Sequence, residues 1–414
     1  MRVKNIFIVF LGLLLSCSFS KANEPIGFQF KHSERSVSFD IEVINNLVVI
    51  PVIMNRILKL RLILDTGVQH TILFDHELSP LFFIDPHRTV TIKGLGEGDE
   101  LEASIATLVD MQIGEIKAKH KGLLILPDGT KQEINKYMGT EIHGLIGYDL
   151  FKDVPIKIDY THKRITAYNP KYWKGKKRRY QKIPLNIREG KPYVKVDLKD
   201  RDESCEQCEV LIDSGSALGL SINLYANRKI EPDEPNIEMA LGSGLIGDMS
   251  GKVSRVSSLD LELVNFKDVI TAFPDKASVH FLEDKVNQTG SVGAGVLSRF
   301  SCIYDYKNAI LHLKKTRRVR RPFKFNNTGI QIVSGDNDFK KVKIDGVIKN
   351  SPASDIGLMK GDYLLAVHSL TTEEMSLQEA LGVLYNLKNG KTIRLLVQRG
   401  DEIFHTRLTT REII

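Results

Sequence analysis

The sequence predicts a mainly β protein, with two related β-barrel lobes followed by a small α/β domain. Three observations lead there. An Asp-Thr/Ser-Gly triplet occurs twice, each time directly after an apolar run, within a longer internal repeat. The segments before each triplet alternate apolar and polar residues and are rich in Val, Ile and Leu, the period-two signature of half-buried strands. Only beyond residue 327 does a helical period stand out.

Each element follows from its residues. Strands "VVIPVIMNRILKLRLIL" lead into Asp65-Thr66-Gly67, and "KPYVKVDLKD" and "CEVLI" lead into Asp213-Ser214-Gly215. Alone, the first triplet reads as a tight turn, because Asp, Thr and Gly all favour turns. The repeat changes that reading. Asp65 and Asp159 lie 94 positions apart, Asp213 and Asp305 lie 92 apart, and both later residues are followed by Tyr. Gly147 and Gly293 each stand 12 positions before that later Asp, in "GLIGYDLF" and "SVGAGVLSRF". Two independent turns would not share this layout. Residues 24–173 and 180–316 are therefore expected to form one lobe each.

The C-terminal segment, 327–414, has another pattern. A turn around Ser351-Pro352-Ala353, a short helix ending at Gly357, and an amphipathic helix in "SLQEALGVLYNLKNG" closed by Gly390 describe a compact α/β domain.

At 414 residues the chain exceeds one ordinary core, and length alone suggests roughly two to four domains. The formal charge of +7 is concentrated in "KGKKRR" (174–179) and "KKTRRVRR" (314–321). Both lie between strand-rich regions and read as solvated linkers. They lack the interleaved aromatics and recognition fold of a nucleic-acid site, so no nucleic-acid partner is expected.

The N-terminus, "MRVKNIFIVFLGLLLSCSFSKANE", has a basic start, a short apolar core and then small residues, the form of a secretory signal over residues 1–22. It implies a periplasmic or secreted protein. "LLSC" ending at Cys17 also resembles a lipoprotein box, which would make Cys17 the one lipid anchor of an outer-membrane protein. Cys205 and Cys208 form "CEQC", without the further ligands that zinc requires. Ahead of a strand, they read as a small disulfide pinning a turn in an oxidising compartment.

On these residues the twin repeat resembles the aspartic protease superfamily, specifically bacterial two-lobed proteins with retropepsin-like halves. The C-terminal segment is similar to a PDZ domain, through "NSPASDIGLMKGDYLLAV". The resemblance implies an aspartic endopeptidase, monomeric, acting on polypeptides and needing no metal or organic cofactor. Asp65 and Asp213 would be the catalytic pair: one carboxylate accepts a proton from water while its protonated partner polarises the substrate carbonyl. Thr66, Gly67, Ser214 and Gly215 would support the two turns, the hydroxyls cross-bracing them. Gly-rich hairpins at 94–98 and 242–251 are candidate flaps. In the PDZ-like domain "TGIQIV" would hold peptide, through Gly329, Ile330 and Ile332.

Two departures stand out. Val68 follows the first triplet where the family often has Ala or Ser, and the first hairpin lacks a tyrosine. The alternative reading is a non-catalytic peptide-binding protein with a degenerate protease cleft. A trypsin-like serine protease, suggested by "DSGS", needs a His base and a buried Asp. The only upstream candidate, His70, follows the first triplet, on the wrong side of it.

Overall fold

The computed structural model describes residues 27–414 except 32–33, 99, 177, 202, 226–229 and 281–287. The expected leader over 1–22, with Cys17, lies outside the described residues. Among the described residues, no helix is long and apolar enough to cross a membrane.

The first lobe is an eight-stranded sheet. Its strands run Glu42–Ile44, Leu47–Met54, Leu58–Leu64, Gly144–Ile146, Ile72–Leu73, Ile116–Ile125, Leu101–Ile113 and Phe83–Ile92, in spatial order. The second lobe repeats that order with Asn186–Arg188, Lys191–Asp200, Glu203–Asp213, Gly290–Gly293, Leu220–Ile222, Asn265–Pro274, Gly247–Asp260 and Ile237–Gly244. The agreement extends to an extra closure in each sheet, Leu47–Met54 on Leu101–Ile113 and Lys191–Asp200 on Gly247–Asp260. The strand before each triplet is thereby clamped between an antiparallel neighbour and a short parallel one.

A third sheet joins the lobes. The first contributes Ser36–Asp40, Arg164–Tyr168 and Ile156–Asp159; the second contributes Phe300–Asp305, Ile310–Lys315 and Gln181–Pro184. The seam is antiparallel, with Ile158 opposite Cys302. The "Asp-Tyr" strands of the two repeats are thus the strands that meet. Phe151, Tyr304 and Tyr306 pack there with ring centroids 5.2 and 5.3 Å apart. One hydrophobic core runs through both lobes and this sheet.

Cys205 and Cys208 are disulfide-bonded. The pair lies inside the strand Glu203–Asp213 and not in a turn ahead of it. The ladder to Lys191–Asp200 shifts register at Val196/Leu198, and the Gln207 amide donates to the Asp197 carboxylate at 2.7 Å. This bulge accommodates the bridge without ending the strand.

The C-terminal domain has its own core and sheet. Ile330–Ser334 is the edge strand, followed by Val342–Val347, Tyr363–Val367, Thr392–Arg399 and Glu402–Thr409. Helix Leu377–Tyr385 packs beside the edge strand. It begins in a capping box, the Ser376 hydroxyl accepting from the Glu379 amide while the Glu379 carboxylate accepts from the Ser376 amide.

Candidate active site

Symmetry brings the two triplets face to face at the floor of a cavity of about 710 Å3. Asp65 and Asp213 both line it, each under 10% exposed. Their loops are tied by four reciprocal bonds. The Thr66 hydroxyl donates to the Ile212 carbonyl at 2.6 Å and accepts from the Ser214 amide at 2.9 Å. The Ser214 hydroxyl donates to the Leu64 carbonyl at 2.8 Å and accepts from the Thr66 amide at 3.0 Å. Both hydroxyls are therefore saturated as braces. Ser214 is 0% exposed, and its proton is committed to a carbonyl, which removes it as a nucleophile.

Gly67 and Gly215 orient the carboxylates. The Gly67 amide donates to Asp65 Oδ1 at 2.6 Å and the Gly215 amide to Asp213 Oδ1 at 2.9 Å. Each glycine also faces the opposite carboxylate. A Cβ at Gly67 would lie 3.3 Å from Asp213 Oδ1, and one at Gly215 would collide with the Asp65 carboxylate. A side chain at either position would push the pair apart.

Burial pushes the Asp65 carboxyl up to about 8, and the neighbouring Asp213 charge adds to the rise. Burial also raises Asp213, against the Gly215 amide, Lys191 and a hydrogen bond with Asp65, which all favour its ionised form. A buried pair of this kind holds one proton between its members, and that proton belongs to the pair.

Several contributors were not singled out from the sequence. Lys191 lines the cavity and acts electrostatically on both aspartates. Its counterpart in the first lobe is Leu47, since the hairpins pair Ile44 with Leu47 and Arg188 with Lys191. Aligning the repeats would have exposed that exchange of an apolar residue for a cation. Asp149, in "GLIGYDLF", accepts from the Thr71 amide at 2.9 Å and thereby fixes the loop after the first triplet. Gly147 passes so close beneath that loop that a Cβ would strike the Asp65 and Val68 carbonyls.

The two glycine-rich hairpins meet over the cavity. Their tips exchange backbone bonds, the Ile246 amide to the Leu95 carbonyl at 3.1 Å and the Glu97 amide to the Asp248 carbonyl at 3.0 Å. Lys93, Gly94 and Leu95 line the cavity from one hairpin, and Met239 to Leu245 from the other.

In the C-terminal domain, Ile330 and Ile332 are buried within its core, and Ile332 also lines the cavity. Gly329 has a φ of +79°, and a side chain there would collide with Ser351.

Two lobes of one topology, with paired Asp-Thr/Ser-Gly loops, define a two-lobed aspartic-protease fold carrying an appended module. Residues 50–150 match the family model described as an aspartyl protease, and residues 327–410 match that of a PDZ domain. The chain therefore carries an aspartyl protease domain followed by a C-terminal PDZ domain. It is also similar to the tight junction protein ZO-3 of Canis lupus familiaris and of Homo sapiens. Each is 31% identical over 94 residues, which is 23% of this chain and 10% of the relative. The chain thus spans about a tenth of the length of these relatives.

Proposed function

We propose that the chain is an aspartic endopeptidase in which Asp65 and Asp213 activate a water against a peptide carbonyl. The observation that carries this reading is the reciprocal Thr66–Ser214 bracing, which presents two buried carboxylates together in the cavity. Each step follows from these groups. The ionised member takes a proton from the water as it attacks the carbonyl carbon. The protonated member donates to the carbonyl oxygen, giving a neutral tetrahedral diol. The protonated member then donates to the amide nitrogen while the ionised one takes a proton from a diol hydroxyl, so the C–N bond breaks to release acid and amine and the pair again shares one proton. The flap hairpins would exclude bulk water and supply backbone groups to an extended substrate. The PDZ domain would contribute polypeptide recognition.

The test is hydrolysis of an unbiased peptide mixture by wild type and Asp65→Asn, with products read by mass spectrometry. Cleavage by wild type alone, blocked by a statine-type peptide and insensitive to serine reagents and chelators, is the expected result. Peptide binding without cleavage would instead establish the non-catalytic reading. We also infer export, supported by the leader-like residues 1–22. Mass spectrometry of the mature protein should find Asn23 first, or an acylated Cys17, and retention of Met1 would refute export.

A further inference from the structure

The PDZ domain is docked with its groove turned toward the catalytic cavity. Gln331, on the groove's edge strand, donates through Nε2 to the Ala240 carbonyl of the second-lobe flap at 2.8 Å. Gln378, on the groove helix, accepts from the Asn45 amide at 2.5 Å. Tyr137, on the first-lobe helix Thr130–Met138, donates to Asp345 of the PDZ domain at 3.1 Å and lies 3.4 Å from Asp248 of the flap. Lys136 adds an ion pair to Asp345 at 3.3 Å. The cavity that holds Asp65 and Asp213 consequently continues between the edge strand and the helix, where Ile332, Val333, Leu381, Gly382 and Tyr385 line it.

The turn that opens the edge strand is already saturated. Asn326 Oδ1 accepts from the Thr328 amide at 3.0 Å and the Gly329 amide at 3.3 Å. Thr328 Oγ1 accepts from the Ile330 amide at 3.1 Å. The Ile330 carbonyl takes both Asn326 Nδ2 at 2.7 Å and the Tyr385 hydroxyl at 3.2 Å. A terminal carboxylate would have to displace these side chains to reach the amides. An internal segment can instead pair with the strand edge beyond Ile330, since an edge strand offers its outer N–H and C=O groups to another chain.

We propose that the PDZ groove is a distal subsite of the catalytic cleft, taking an internal, extended stretch of the same polypeptide that lies across Asp65 and Asp213. The inference rests on the peptidase reading for its substrate class and on the continuous cavity for its geometry. Its consequence is selection by length. A peptide of ~6 residues extends roughly 20 Å, whereas one of ~14 residues extends roughly 45 Å. The proposal requires the longer one, and not the shorter, to cover the dyad and enter the groove.

Gly382 gives a clean probe. It sits within helix Leu377–Tyr385, and a Cβ there would meet only Asn386 Nδ2, at 3.9 Å. Gly382→Phe would fill the groove without straining the fold, and replacing a mid-helix glycine favours the helix. Cleavage of a peptide series of ~6 to ~14 residues should show kcat/KM rising with length in wild type. In Gly382→Phe the long-to-short ratio should fall about tenfold, which corresponds to ~1.4 kcal/mol. Amidation of the peptide C-terminus should leave that ratio unchanged. A ratio equal to wild type, a rise at all lengths (the docked domain being an inhibitory cover), or a tenfold preference for free carboxylates would each overturn the proposal. Anisotropy of the same fluorescent peptides on Asp65→Asn and Asp65→Asn/Gly382→Phe separates the two readings. Length-dependent binding lost in the double variant supports the subsite even if wild type cuts nothing. Binding independent of length refutes it even if wild type is an active peptidase.

Discussion

The two lobes close the loop behind their aspartates in different ways. In the first lobe, Thr71 donates through its amide and hydroxyl to Asp149 Oδ2 at 2.9 and 3.2 Å, and Lys152 reaches Asp149 Oδ1 at 3.1 Å. Strand registers place Leu220 at the Thr71 position and Gly295 at the Asp149 position of the second lobe. There the backbones close in directly: the Gly295 amide donates to the Leu218 carbonyl at 3.0 Å, and a Cβ on Gly295 would lie 2.9 Å from Gly219. One lobe uses a buried carboxylate network and the other uses proximity that only glycine permits. What the fold preserves is the path of the loop, and either chemistry can hold it.

The aspartates are where the lobes do not differ, and disrupting that identity should have the largest effect. Asp65→Asn, Asp213→Asn and the double variant should each lower kcat/KM by on the order of 10⁴-fold or more, without adding, because the pair works as one unit. Peptide hydrolysis near wild-type rate in either single variant would disprove the shared-proton mechanism.

Next in size is the loop support itself. Asp149→Ala strips Thr71 of its acceptor and leaves the 8%-exposed Lys121 with one fewer carboxylate nearby. Unfolding in urea should show a loss of about 3 kcal/mol, as when one partner of a buried ionic network is removed. Gly295→Ala, by forcing the backbones apart, should cost about 1–3 kcal/mol. A negligible loss in both would mean that the loop is held elsewhere.

The pair also sets a pH dependence of stability. Asp65 is pushed from the ordinary aspartate value of 3.8 up to about 8, so the folded state binds the extra proton between those values. The stability this confers is complete below about 3.8 and is lost as pH rises through about 8. Urea midpoints should therefore decline across that window in wild type and decline less in Asp65→Asn. An identical slope in both would show that other groups carry the linkage.

Much of this architecture is legible in the sequence. The repeat spacing exposed two lobes, and the triplets marked both aspartates and both bracing hydroxyls, because strand periodicity and turn chemistry are local. The inter-lobe sheet was visible only as an echo, the shared Asp-Tyr after Lys-Ile and Ile-Tyr strands, since pairing partners far apart in sequence leave no local signal. Asp149 lies within "GLIGYDLF", but its bracing role has no sequence signature, because its partner Thr71 stands at no fixed spacing from it. The PDZ groove's orientation was beyond reach altogether. It depends on Gln331 meeting Ala240 and Tyr137 meeting Asp345, side chains whose roles only docking creates.

The smallest expected effect tests the remaining difference beside the aspartates, Lys191 against Leu47. Both residues start the second strand of their lobe and line the cavity, but only Lys191 brings charge to it. Its cation favours the ionised form of Asp65 and of Asp213. Lys191→Leu makes the second lobe match the first and removes that influence. Each proton then leaves the pair less readily, so both apparent ionisations of the dyad move upward. On the peptidase proposal, a bell-shaped profile of kcat/KM against pH would report these ionisations. In Lys191→Leu it should slide to higher pH along both limbs, with activity lost first on the acid side. Salt should not reproduce the shift, because ions screen exposed charges far more than those set in a cavity wall. The mirror substitution, Leu47→Lys, should move the profile the opposite way if position rather than lobe identity matters. Unmoved limbs in Lys191→Leu, or a slide toward acid, would show that the lysine's charge does not govern the dyad.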